Sequence, residues 1–305
     1  MKILNFIQNI TESHYLIIAV AFFVGLLHPD SVLWASPYTT FILATVFFLS
    51  ALKIDLKKVL RQLDDKLTLV IINIFMLFIL PIIIYYLFGL FFPSLAIAFL
   101  ILAAMPIGMT TPLLTEISGG RQSLALVLTV TTSLLAPLTV PFVVKLLAGA
   151  SVEVDVLGMF TLLATVIYIP FFLAQFFKRF WQEKINKVSP LFKSLSTILL
   201  GILIMIIVAK QSEILIEGFN YLYIVLLFLF FIALHFIGYF MIPWRDKRDK
   251  ITISVCVTYM NFTLAIEIAN KFFNDPNIIL PIVLSIIPWA IMIIPFRRIM
   301  MKKIS

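Results

Sequence analysis

The amino-acid sequence predicts an all-α polytopic membrane protein: ten transmembrane helices forming two inverted five-helix repeats, with spans 4 and 9 broken. Three observations carry this. First, 62% of the 305 residues are hydrophobic and only 12% are charged, against about 45–50% and about 25% in soluble domains. Second, apolar runs recur along the whole chain, many of them at or near the ~17–20 residues that cross a bilayer. Third, residues 105–137 have a distant echo at 256–288. Glu116 and Pro137 map onto Glu267 and Pro288 by one offset of 151 residues.

Polar or Pro/Gly boundaries divide the apolar runs into ten spans. Span 1 covers 15–27, with Trp34 and Tyr38 suited to the interface beyond it. Span 2 (38–52) ends in the mixed-charge segment 53–66, and span 3 (67–92) is closed by Pro93-Ser94. Span 4 (95–118) contains the first break and stops at Gly119-Gly120; span 5 covers 123–147. Span 6 (156–177) meets Lys178-Arg179, and an amphipathic linker, 180–193, leads to span 7 (194–209). Span 8 covers 219–244, span 9 (251–273) holds the second break, and span 10 covers 278–294. Lys2 precedes the first run as in a signal peptide. No Ala-x-Ala-like site follows, so cleavage is not expected.

Charge placement sets the orientation. With cytoplasmic termini, only Lys145, Lys210 and Lys271 of the 23 Lys and Arg face outward, as the positive-inside rule demands. The external loop 149–155 is acidic instead, through Glu153 and Asp155. Five is an odd number of spans, so two related halves, 1–148 and 149–305, must lie upside down relative to one another. Such inverted repeats are common in secondary transporters. The net charge of +8 is spread over loops and forms no nucleic-acid-binding face. The single cysteine, Cys256, offers neither a disulfide nor a thiolate metal cluster.

The two breaks are the expected site. Thr110, Thr111 and Pro112 interrupt span 4; Thr258, Tyr259, Asn261, Phe262 and Thr263 interrupt span 9. Pro112 removes a backbone donor and destabilises a continuous helix by ~3 kcal/mol or more. Irregular backbone at membrane depth is tolerated only where protein or a wet cavity lines it. Half-helix N-termini then favour an anion, whereas unwound carbonyls favour a cation. Hydroxyl and amide groups of Thr110, Thr111 and Asn261 suit either task. The structural alternative is that these groups merely satisfy backbone freed by a kink.

Glu116 and Glu267 follow their breaks by five or six residues, ~8–9 Å along a helix. In the inferred orientation Glu116 falls on the cytoplasmic side and Glu267 on the external side. Intramembrane carboxylates suggest coupling or gating, against the alternative of hydrated helix ends. Thr129, Thr132 and Ser133 in span 5, with Asn73 and His235, are secondary polar candidates that commonly bond neighbouring helices instead.

Three stretches resemble the bile acid:sodium symporter (SBF-like) family, of which the chain looks like a divergent member. They are Phe47-Phe48-Leu49-Ser50-Ala51-Leu52-Lys53-Ile54-Asp55, the segment from Pro106 through Pro141, and Tyr259-Met260-Asn261-Phe262-Thr263-Leu264-Ala265. The resemblance implies a panel of spans 1, 2, 6 and 7 beside a core of spans 3–5 and 8–10. Spans 4 and 9 would cross at their breaks, with substrate and ions nearby. Arsenite exporters and auxin-efflux-like carriers share this architecture.

The ion chemistry implied by the family transfers badly. A typical Ser-Asn is replaced by Thr111-Pro112, and a glutamate shared by both sodium sites aligns with Cys256. A third-span glutamine falls at Met76 and a fifth-span serine at Ala125, while Thr111, Thr129 and Asn261 match in kind. A thiol, a thioether, an alanine and a proline supply no hard oxygen side-chain ligands, so no confident metal site remains.

The expected function is secondary transport of a small anionic organic solute across the plasma membrane by alternating access. Thr110, Thr111, Pro112, Thr129, Asn261 and Thr263 would line the solute site. Glu116, Glu267, Thr132, Ser133 and Tyr259 would serve coupling or gating. No cofactor is expected, and coupling to sodium or protons stays open. Partners are the solute and the bilayer, with no nucleic acid; the oligomeric state stays open, a monomer being compatible with the sequence. One rival is an exporter of arsenite or a weak organic acid on the same scaffold. Enzyme activity is not expected, since HExxH, G-x-S-x-G and a tight intramembrane carboxylate pair are all missing. A channel or signalling receptor is the remaining alternative, and the longest internal linker is too short for an output module.

Overall fold

The computed structural model describes residues 14–54, 65–217 and 220–304. The amino terminus bearing Lys2, most of the mixed-charge segment 53–66 including Asp55, and the start of span 8 at Phe219 lie outside the described residues. Among the described residues the chain is all-helical, its only β-type pairing being the isolated bridge between Ile107 and Met260. Six helices among the described residues are long and apolar enough to cross a membrane, and three further apolar helices there are shorter.

The chain divides into two compact units. The first comprises residues 1–54 and 162–219. It contains α1 (His14–Leu27), α2 (Thr39–Ala51), most of α7 (Val156–Lys210) and α8 (Ser212–Glu217). Within it, Gln175 Nε2 donates to the Ala51 carbonyl at 3.1 Å and Lys178 Nζ to that of Ile54 at 2.5 Å. These bonds tie α7 to the turn after α2, where the Ala51 carbonyl also accepts from Ile54 N–H at 3.1 Å.

The linker expected at 180–193 is instead helical. α7 runs through it, with only Trp181 leaving helical geometry (φ −129°, ψ 29°). Residues 182–189 contain Gln, Glu and Lys, straight-chain helix formers that lose little rotamer freedom in a helix.

The second unit comprises residues 55–161 and 220–305. Its first long helix, α3 (Lys66–Phe91), carries a π-helical stretch at Phe75–Ile79. It is followed by α4 (Ala96–Ala104), α5 (Thr111–Ile117) and α6 (Gln122–Ala148). After the first turn of α7 come α9 (Tyr221–Phe240), α10 (Lys247–Thr258) and α11 (Phe262–Phe272). α12 (Pro276–Leu284) and α13 (Ile286–Ile304) complete it.

The core of this unit is aromatic and aliphatic. Phe88 stacks on Phe99 at 3.7 Å, and Phe99 meets Phe230 edge-on. Lipid-compatible side chains such as Leu90, Leu138, Leu229 and Phe236 remain exposed. The two mapped prolines sit in unlike settings: Pro137 lies inside α6, whereas Pro288 falls in the first turn of α13, beyond a bend at Ser285.

Candidate functional site

Both expected interruptions exist, and both lie within the second unit. α4 ends at Ala104 and α5 begins at Thr111, with Met105 extended (φ −70°, ψ 145°). α10 ends at Thr258 and α11 begins at Phe262, with Tyr259 and Asn261 outside helical geometry. The first break therefore centres on residues 105–110. Pro112 does not cause it by ending a helix; it occupies the first turn of α5, where a missing N–H costs nothing and the fixed φ favours helix. Pro106 and Gly108 are the residues that the irregular stretch needs.

The two breaks meet. Gly108 N–H donates to the Tyr259 carbonyl at 2.9 Å, and Asn261 N–H donates to that of Pro106 at 2.8 Å, closing the antiparallel bridge. Thr111 Oγ1 adds a third bond to the Tyr259 carbonyl at 2.8 Å. A Cβ on Gly108 would lie 3.1 and 3.2 Å from the Tyr259 and Met260 carbonyl oxygens, so this approach favours glycine. α6 supports the same point: Ile107 N–H donates to Thr132 Oγ1 at 3.2 Å, and that hydroxyl donates to the Leu128 carbonyl at 2.7 Å. Each break thus satisfies backbone that would cost several kcal/mol per group if left unpaired in hydrocarbon. Residues 251–269 are buried without exception, as are 98–108.

The predicted side chains divide by what they bond. Thr111 and Thr132 repair backbone, and Thr129 Oγ1 donates to the Ala125 carbonyl within its own helix at 2.8 Å. Asn261 Oδ1 caps α11, accepting from Leu264 N–H at 3.2 Å and from Thr263 Oγ1 at 2.8 Å. The Asn261 Nδ2 donors have no acceptor among the described residues. Thr110, half-buried at the start of α5, makes no side-chain cap. Ser133 is 2% exposed with an unpartnered hydroxyl, and Tyr259 is wholly buried with its ring edge-on to His235 and Trp289.

The two glutamates occupy different environments. Glu116 is exposed and accepts from Gln122 Nε2 at 2.8 Å. Glu267 is buried on α11. Cys256, Met76 and Ala125 are wholly buried, so each fills core with a group that does not ligate a hard cation. Among the described residues no cluster of His, Cys, Asp or Glu could hold a metal ion.

Asn73 and His235 bond neighbouring helices. Asn73 Nδ2 reaches Thr131 Oγ1 at 3.0 Å, and His235 Nδ1 pairs with Ser254 Oγ at 3.1 Å.

Sequence reasoning missed a charge network at one end of this unit. Asp249 is 2% exposed and lies between Arg121 Nε, at 3.2 Å, and Arg245 Nε, at 2.8 Å. Arg121 also pairs with Asp246, and Arg245 with Asp65 at 2.6 Å. Arg121 N–H donates to Thr252 Oγ1 at 2.7 Å, while Gly119 takes the left-handed conformation (φ 85°) that turns the chain out of α5. These bonds tie the α5–α6 connection to the start of α10. The signal available was Asp249 itself, an acid at the third position of a helix in which residues 251–258 are all buried.

No curated protein shows a significant match to the chain. The model of the SBF-like CPA transporter family matches residues 12–304, nearly the whole length. With its six long apolar helices, the chain is a multi-pass membrane protein and belongs to the SBF-like CPA transporter family.

Proposed function

We propose that the protein is a secondary transporter that moves a small anionic organic solute across the plasma membrane by alternating access. The observation that carries this reading is the pairing of two helix interruptions through Gly108–Tyr259 and Asn261–Pro106. Paired discontinuous helices are where such transporters hold their substrates. The free Nδ2 donors of Asn261, beside the N-terminus of α11, favour an anion, because both present N–H groups. Thr110, Thr111, Pro112, Thr129 and Thr263 complete the proposed solute site.

Ten spans in two inverted repeats, with both termini cytoplasmic, account for the charge bias and for two breaks that are antiparallel where they meet. The panel-and-core arrangement is supported by the two compact units, whose residue ranges correspond to spans 1, 2, 6 and 7 and to the remaining six. Sodium is disfavoured as the coupling ion because Cys256, Met76 and Ala125 replace oxygen ligands. Glu267, buried on the segment after the second break, is the preferred coupling or gating group. Glu116, exposed and bonded to Gln122, is the weaker of the two.

Uptake of labelled organic anions into proteoliposomes, under a sodium gradient, a proton gradient or neither, tests this directly. Uptake without sodium supports it, and strict sodium dependence refutes the view of the ion sites.

A further inference from the structure

We infer that the helical segment around Trp181 is a docking surface for the headgroups of anionic phospholipids. Three observations in the first unit converge on it. The backbone leaves helical geometry at Trp181, so the helix that continues from residue 182 into span 7 is separate in direction from the apolar run before it.

Aromatic side chains gather at that joint and stay exposed. Phe176 meets Phe180 at 5.0 Å, Phe177 meets Trp181 at 5.4 Å, and Phe180 and Trp181 are 60% and 44% exposed. Aromatic rings with this exposure belong at the boundary between hydrocarbon and headgroups. Ile185 and Val188 follow at helical spacing beyond the joint. Lys184 and Lys187 are exposed beside them, and Lys178 and Arg179 precede the joint.

Across residues 176–189 the only acid is Glu183. Lys178 is anchored to the end of α2 through the Ile54 carbonyl, which holds the segment to its unit. A basic cluster beside an aromatic joint, at the end of an apolar run, suits the headgroup layer. Its charge complements a negatively charged leaflet. The surface does not depend on the identity of the transported solute.

The test uses the full-length protein in phosphatidylcholine vesicles doped with phosphatidylglycerol, with bromine on the acyl chains of one lipid or the other. Trp181 is one of four tryptophans, so its quenching is read as the difference between wild type and Trp181→Phe. This avoids altering Trp289, which packs on Phe262 at 4.7 Å.

Brominated phosphatidylglycerol is expected to quench Trp181 at least about five-fold more effectively per lipid than brominated phosphatidylcholine. That is the worth of one basic residue at an anionic surface. The combined variant Arg179→Gln, Lys184→Gln, Lys187→Gln is expected to equalise the two. Equal quenching in the wild type, or none, overturns the inference. So does loss of the preference on adding soluble glycerol phosphate, which would mark a free-anion site rather than a bilayer surface.

Discussion

Gly108 and Tyr259, 151 residues apart, are joined by a 2.9 Å backbone hydrogen bond between two interrupted helices. The contact is tight for any side chain. A Cβ on Gly108 would stand 3.1 Å from the Tyr259 oxygen and 3.2 Å from that of Met260, and both are backbone atoms that cannot swing aside. Gly108→Ala should destabilise the protein by about 1–3 kcal/mol, the usual range for overpacking. Thermal unfolding in detergent reads this as a lowered midpoint; an unchanged midpoint would mean the breaks can separate freely.

Thr111 stabilises the same junction through its hydroxyl. Thr111→Val removes the bond to the Tyr259 carbonyl while preserving shape, and should cost about 0.5–1.5 kcal/mol. Thr111→Ser keeps the hydroxyl and should lose less. If both variants unfold alike, the hydrogen bond is not what the threonine supplies.

Asp249 holds two arginines from different connections. Asp249→Asn preserves volume but removes the charge from a nearly buried position. The expected loss is about 1.5–3 kcal/mol, at the lower end because Arg121 and Arg245 are themselves partly exposed. Raised salt should narrow the gap between wild type and variant only slightly, since the buried carboxylate is poorly screened. A large narrowing would place the network in solvent.

The proposed orientation is tested by single cysteines at Glu153 and Lys184, both exposed. Cys256 is wholly buried, so background labelling should be low. In oriented vesicles, Glu153→Cys should react with a membrane-impermeant reagent from outside and Lys184→Cys only from the cytoplasmic face. Labelling from one side alone contradicts the ten-span topology.

Much of the fold was legible because apolar run length and charge asymmetry are direct consequences of the bilayer. Helix α6 differs from span 5 by one residue at each end. The second break was legible too, since Asn261 is a strong helix N-cap inside an otherwise apolar run.

The first break was shifted. The threonines and Pro112 drew attention, yet a proline after a break starts a helix as readily as it ends one, and the irregular stretch lies upstream at Met105, Pro106 and Gly108. Helix continuation through residues 180–193 was hidden by the charges that made the segment look like a linker. The Asp249 network was hidden because its paired residues lie 125 to 180 positions apart along the chain, except for Arg245 and Asp249.

Asn261 separates cap from ligand most cleanly. Aspartate is as good an N-cap as asparagine, so Asn261→Asp keeps an acceptor for Leu264 N–H and Thr263 Oγ1 while removing the Nδ2 donors and adding a negative charge. The most direct measurement is thermal stabilisation of wild type and Asn261→Asp by a panel of small organic anions, because a ligand that binds only the folded state raises its stability by mass action. The predicted result is matching midpoints without ligand, and an upward shift with at least one anion in the wild type alone. Equal shifts in both proteins, or no shift with any anion in the wild type, would contradict a solute site at the paired breaks.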